Sequence, residues 1–217
     1  MLVRLLLTAA LLFSAPAAWA QTSAAEPTAE QIAQARERAD ELIAAAEAVG
    51  VFANKTDSAV PQVEHLPSGM RCLLGDDPAT RLHIFPIMGS GVPRGEDVVC
   101  ITREGDITIS VYATRYPGGM DTHSIVANAI GGIRQAWPDA VPYEGQIATL
   151  NVEGDAAPQS AAFKVDVNGS QMLTMVLGSQ IEDWSFKVRI TGPYDDAVAV
   201  SLRGAIAMAF VHMNMND

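Results

Sequence analysis

Asp106-Ile-Thr-Ile-Ser-Val-Tyr-Ala-Thr114 is the stretch on which the fold class turns. Ile107, Ile109, Val111 and Ala113 fall on one side of an extended chain, and Thr108, Ser110, Tyr112 and Thr114 fall on the other. A strict period of two marks a strand with one apolar and one polar face. Glu104-Gly105, just ahead of it, turns the chain back on a second strand, Asp97–Arg103, as a tight hairpin.

Working outward, Met70–Gly75 and Arg81–Phe85 are the preceding strands, separated by Gly75-Asp-Asp-Pro78, with a Gly/Pro-rich loop over 89–95. On the other side, Asp121 or Thr122 caps a helix that ends at Trp137-Pro138, because a residue ahead of proline avoids the helical region. Gly131-Gly132 in its middle costs about 2 kcal/mol of helix propensity. That cost predicts close packing of the helix on a sheet. Four more strands follow: Gln146–Val152, Ala161–Asn168, Ser170–Leu177 and Asp183–Ile190. Asn168-Gly169 carries the type I′ hairpin signal. Trp184, Phe186, Val188 and Ile190 face the core, opposite Ser185, Lys187 and Arg189. Thr191-Gly192-Pro193 opens the last helix, with Asp195 and Asp196 suited to its positive end.

Ahead of the strands, Thr28 and Gln31 form a capping box for a helix that Gly50 closes. Its stripe is Ile32, Ala35, Leu42, Ile43, Ala46 and Val49, with Arg36 and Asp40 on the wet side. Asn54–Pro67, polar with two prolines, is expected to be a linker or irregular arm. The order is helix, four strands, helix, four strands, helix, with strands in hairpin-connected groups. It predicts an α+β fold: an antiparallel sheet of about six to eight strands covered by helices, with an extra N-terminal helix.

The first twenty residues supply an address. Arg4 precedes the apolar run Leu5–Phe13, Pro16 breaks it, and Ala18-Trp19-Ala20 gives the small-x-small cleavage pattern. A helix over Leu5–Phe13 rises only about 14 Å against a hydrocarbon core of about 30 Å, so a cleavable signal is expected rather than a span. Gln21, not cysteine, follows the cut. The expected product is periplasmic or secreted and released from the membrane. The domain plan is signal 1–20, disordered leader, helix and linker 21–68, and sandwich 69–217.

Cys72 and Cys100 are the two cysteines, and in an oxidising compartment an even pair implies a disulfide. Their spacing is worth roughly 3–4 kcal/mol by loop closure. The bridge is expected to join the first and third strands of the sheet. A redox thiol pair is the other reading. A net charge of −11 repels phosphate backbones and anionic lipid, so nucleic acid and membrane are excluded as partners. The apolar run Ala197–Val211, with Arg203 at its centre, is expected to be a buried core helix.

From Met70 to His212 the element order resembles the Mog1/PsbP-like α/β/α sandwich superfamily. Ile107–Arg115, Asn168-Gly169 and Trp184-Ser-Phe-Lys-Val-Arg-Ile-Thr-Gly-Pro193 with the helix after it carry the likeness. The resemblance implies partner binding or assembly rather than catalysis, and it brings no binding residue with it. The Thr28–Val49 helix and the cysteine pair depart from it.

The chain has no GxSxG, HExxH, SxxK, Walker or dinucleotide motif. The expected function is an exported, soluble, non-catalytic binding or assembly protein, without a cofactor, for a protein or small ligand outside the cytoplasm. Two alternatives accompany it. His212, Met213 and Met215 form a soft imidazole–thioether set suited to copper, with Met208 one turn earlier and the end of the chain folding back. A hydrolase would have to assemble His65, Asp121 and His123.

Overall fold

The structure, a computed structural model, describes residues 26–86, 93–150, 152 and 156–215. The expected signal Met1–Ala20, most of the leader, and much of the 89–95 loop lie outside the described residues. In chain order the elements are α1 (Ala29–Ala45), β1 (Phe52–Asn54), β2 (Gln62–His65), β3 (Arg71–Leu73), β4 (Arg81–Ile84), β5 (Asp97–Glu104) and β6 (Ile107–Arg115). There follow α2 (Thr122–Ala136), β7 (Val141–Pro142), β8 (Gln159–Val167), β9 (Ser170–Ile181), β10 (Trp184–Pro193), a 3-10 turn (Tyr194–Asp196) and α3 (Ala197–Met215). Seven strands form an antiparallel sheet in the order β4-β5-β6-β10-β9-β8-β7, and β1-β2-β3 form a second sheet. The α+β class with an extra N-terminal helix is the architecture observed.

Alternation along the strands builds two cores. Val111 and Ala113 of β6, Phe186, Val188 and Ile190 of β10, and Met175 and Leu177 of β9 pack with Val200, Met208 and Val211 of α3. Leu42 and Ile43 of α1, with Phe52 and Val63 of the small sheet, join the same cluster. On the other face Phe163, Val165 and Val176 meet Val126 and Ile133 of α2. The sheet thus lies between α1, the small sheet and α3 on one side, and α2 on the other. Asn168 (φ 54°) and Gly169 (φ 84°) take the left-handed conformations that a type I′ hairpin needs.

Several expectations are corrected. The segment 54–67 is no linker: β2 lies within it and pairs with β1 and β3. Thr56 closes the turn, its hydroxyl accepting from Gln62 N–H at 2.9 Å. Val63 and His65 supply buried alternate positions between the two prolines. A boundary at residue 68 therefore cuts through one packed body. The helix α1 ends at Ala45, short of Gly50, so Val49 is exposed instead of on the stripe. Arg36 and Asp40 are on the exposed side of α1, as expected, and there bind the returning chain. Arg36 Nε donates to Thr56 O at 2.9 Å, and Asp40 accepts from Asn54 Nδ2 at 2.8 Å.

The strand expected at Gln146–Val152 does not form over its described residues. The outer edge of β8 pairs with β7 instead, and Ala148 N–H donates to Ser201 Oγ of α3 at 3.2 Å. Thr191-Gly192-Pro193 stays in β10, paired with Thr174, Leu173 and Met172, and α3 begins only at Ala197. Gly131 and Gly132 are exposed, with open space where a Cβ would stand. The close approach under α2 comes from the strand below: at Gly178 a Cβ would meet Val126 Cγ2 at 2.9 Å and Ile125 Cγ2 at 3.0 Å. The Cys72 and Cys100 sulfurs lie 2.08 Å apart. They join β3 to β5, and so link the small sheet to the large one rather than two strands of one sheet.

Candidate functional site

Arg203, His212 and Asn214 aside, α3 is built from apolar and small residues. Its inward face (Val200, Ala205, Met208 and Val211) is fully buried. Gly204 lets it sit low, since a Cβ there would stand 2.7 Å from Met175 Cε and 2.8 Å from Ile190 Cγ2. The outward face is apolar too. Val198 is 66% exposed, Leu202 42%, Ile206 51% and Met213 52%, with Phe210 half-buried between the last two. Spacing of four residues places Val198, Leu202, Ile206 and Phe210 on one ridge.

A surface helix of a globular protein carries polar residues on that face, and a helix apolar all round is one that is covered. The contrast is within the molecule: α1 turns Glu30, Glu37 and Glu41 to solvent. On α3 Arg203 stands beside the ridge, paired with Glu104 at 2.8 Å. By length and composition Tyr194–Met213 could cross a membrane, and half of that stretch is buried in this fold.

A groove of about 220 Å³ runs beside the ridge, between α3 and the strand that bears Cys72. Leu73, Ile109, Val111, Ile206 and Phe210 give it an apolar lining, with Arg203 and Glu104 as charged members. Leu73, 47% exposed, carries the apolar surface onto the small sheet, where Val60 and Pro61 share a second hollow with it. The groove is smaller than the ~300–1,000 Å³ of small-molecule sites, so its size suits the side chains of a docked segment.

The residues singled out by sequence lie elsewhere or apart. His212 is buried on the last turn of α3, one turn beyond Met208, while Met213 is exposed. The backbone stays helical to Met215, whose side chain lies outside the described residues. His212 and Met213 project about 100° apart around the axis. Among the described residues no three His, Cys, Asp or Glu side chains are grouped to hold a metal.

His65 is fully buried between Phe52 and Trp184, with ring centroids at 5.2 and 5.3 Å. Its Nε2 lies 2.8 Å from Gly95 O, which assigns the proton to that nitrogen; Nδ1 then accepts from the Ser68 hydroxyl at 2.7 Å. Burial pushes its pKa down to about 4, against a smaller opposing effect of the Gly95 bond. Asp121 caps α2, accepting from Ser124 N–H at 2.9 Å and from its hydroxyl at 2.6 Å, bonds that hold its pKa below the usual value. His123 is exposed on α2, across the sheet from His65. The three side chains of the hydrolase reading are not brought together.

No protein-family model matches the chain, and no curated protein matches it. Among solved structures it is similar to cyanobacterial PsbP (CyanoP) from Synechocystis sp. PCC 6803, at 14% identity and a TM-score of 0.45, over 69% of this chain and 89% of that one.

The sequence did hold the signal for the ridge. Of the seventeen residues from Ala197 to Met213 all but Arg203 and His212 are apolar or small, whereas a sheet can cover one side only.

Proposed function

We propose that this is an exported, non-catalytic binding protein that docks an apolar helix of a protein partner on the outer face of α3. The observation that carries the reading is the exposed ridge Val198–Leu202–Ile206–Phe210 with the groove beside it. A ridge of four-residue spacing accepts the matching ridge of another helix, the commonest class of helix packing. Apolar anchors entering a groove are the usual energetic centre of such a contact. Arg203 and Glu104 offer both signs of charge at its margin. The charge of −11 argues for a different protein rather than a second copy, since like-charged chains repel. Support for export comes from the Met1–Ala20 pattern.

The test is a photo-crosslinking residue placed at Leu202 in cells. A discrete protein adduct is expected, absent when the same residue replaces Glu37 on α1, and lost when Ile206→Glu is added. An adduct of twice the chain's mass would make the occupant a second copy. Flotation of the purified protein with phosphatidylcholine vesicles would make it lipid. No adduct at Leu202, or one indifferent to Ile206→Glu, overturns the proposal.

A further inference from the structure

The opposite face of the large sheet reverses the sign of the molecule. The strand register sets Arg81, Ile101, Ser110 and Arg189 side by side in one row across β4, β5, β6 and β10. His83, Val99, Tyr112 and Lys187 form the next row, and Asp97, Thr114 and Ser185 the one after. The helix α2 packs over β8 and β9 and reaches β10. Among the described residues the β4–β6 part of this face has no helix packed on it. Arg81 and His83 are exposed and Lys187 and Arg189 half-buried, while Val99, Ser110 and Ser185 of the same rows are buried; four cationic or ionisable nitrogen side chains thus share this face with one carboxylate, on a chain of net charge −11.

Lys187 and Arg189 are the centre of this strip. Lys187 Nζ stands 4.1 Å from the centre of the Tyr112 ring, and the Arg189 guanidinium carbon 4.8 Å from that of Trp137. Phe85 stacks on Tyr112 at 6.4 Å and extends the aromatic floor. Arg38, Lys55, Arg71, Arg115 and Arg203 each have a carboxylate within ion-pair distance. Among the described residues Lys187 and Arg189 have none. Asp97 accepts from the Thr114 hydroxyl at 2.8 Å, and its charge acts on Lys187 from beyond ion-pair distance. Both cations are half-buried, and burial lowers both pKa values. A half-buried cation resting on a ring and lacking a carboxylate gains from one that arrives with a ligand.

The spacing selects the ligand. Same-face residues on one strand repeat every ~6.6–6.8 Å, and so do alternate side chains of any extended peptide. We propose that this face binds an extended acidic peptide whose carboxylates, at alternate positions, pair with Lys187 and Arg189. The site lies across the sheet from α3 and does not depend on what docks there.

Fluorescence anisotropy with a labelled ten-residue peptide of alternating Glu and Thr tests this. Saturable binding is expected, weakened at least tenfold by the double variant Lys187→Gln/Arg189→Gln and weakened by added salt. A peptide of the same composition with its five Glu in one block should bind several-fold more weakly. Free glutamate should not compete at comparable carboxylate concentration. Unchanged affinity in the double variant, no saturable binding, equal binding of the block peptide, or competition by glutamate each overturn the proposal. If the double variant does not fold, Arg81→Glu at the exposed end of the Arg189 row replaces it. At least a threefold loss of affinity is then expected, and no loss overturns.

Discussion

Burial between two aromatic rings holds His65 neutral, and the Gly95 carbonyl that accepts from Nε2 opposes this only in part; the Ser68 hydroxyl donates to Nδ1. Its folded pKa of about 4 lies below the value near 6.5 expected in the unfolded chain. Between those values the unfolded chain takes up a proton that the folded chain refuses. The stability it contributes is therefore complete above pH ~6.5 and is lost as pH falls toward ~4, by roughly 3 kcal/mol in all. Urea midpoints measured across this range should fall less steeply in His65→Gln than in the parent, and equal slopes would refute the assignment. The sequence shows a histidine among polar residues and prolines. What it withholds is the set of partners, because Gly95 lies thirty positions away and Trp184 over a hundred. For the same reason Ser185, Lys187 and Arg189 are legible as one face of a strand, while the Tyr112 ring beneath Lys187 is not. That contact exists only once β6 and β10 are paired.

Elements whose cause is local are the ones that the sequence displays. The capping box of α1, the Asn168-Gly169 hairpin and the alternation of β6 all arise within a few residues, and all form. The strand β2 is obscured because Pro61 and Pro67 flank it and its buried residues are a valine and a histidine. The glycines of α2 show how local pattern misleads about packing. Gly131 and Gly132 touch nothing, whereas Gly178, inconspicuous inside β9, is what admits α2 to the sheet. Opposite responses follow. Gly132→Ala should raise stability by about 0.5–1 kcal/mol through helix propensity and a less flexible unfolded chain. Gly178→Ala should lower it by about 1–3 kcal/mol through overpacking against Ile125 and Val126. Denaturant midpoints of the two variants check the signs, and a loss of stability in both would contradict the account. The apolar run of α3 reads as a buried core helix, yet its outer ridge is exposed; which side the core takes depends on where Gly204 settles against Met175 and Ile190.

At the scale of the whole molecule, two sheets are held as one body by a shared core and by the sulfurs of Cys72 and Cys100. Spacing alone predicts the closure but not that it crosses between sheets. Reduction should cost roughly 3–4 kcal/mol of stability. Amide exchange should rise first in β1–β3 and least in β9, which is paired on both sides. Uniform loosening of both sheets would show that the small sheet is not a separate layer of stability. The central pairing of the large sheet has a consequence in time. A chain emerging from its N-terminus completes β6 about seventy residues before β10, the strand that pairs with its free side. Until then the backbone groups along 107–115 face outward as an unprotected edge, the kind that recruits other chains. No strand made earlier pairs with that edge in the native sheet, and such long-range pairing slows folding. If the chain is exported as proposed above, this late closure would work in its favour, because the sheet cannot close before the last strand is made.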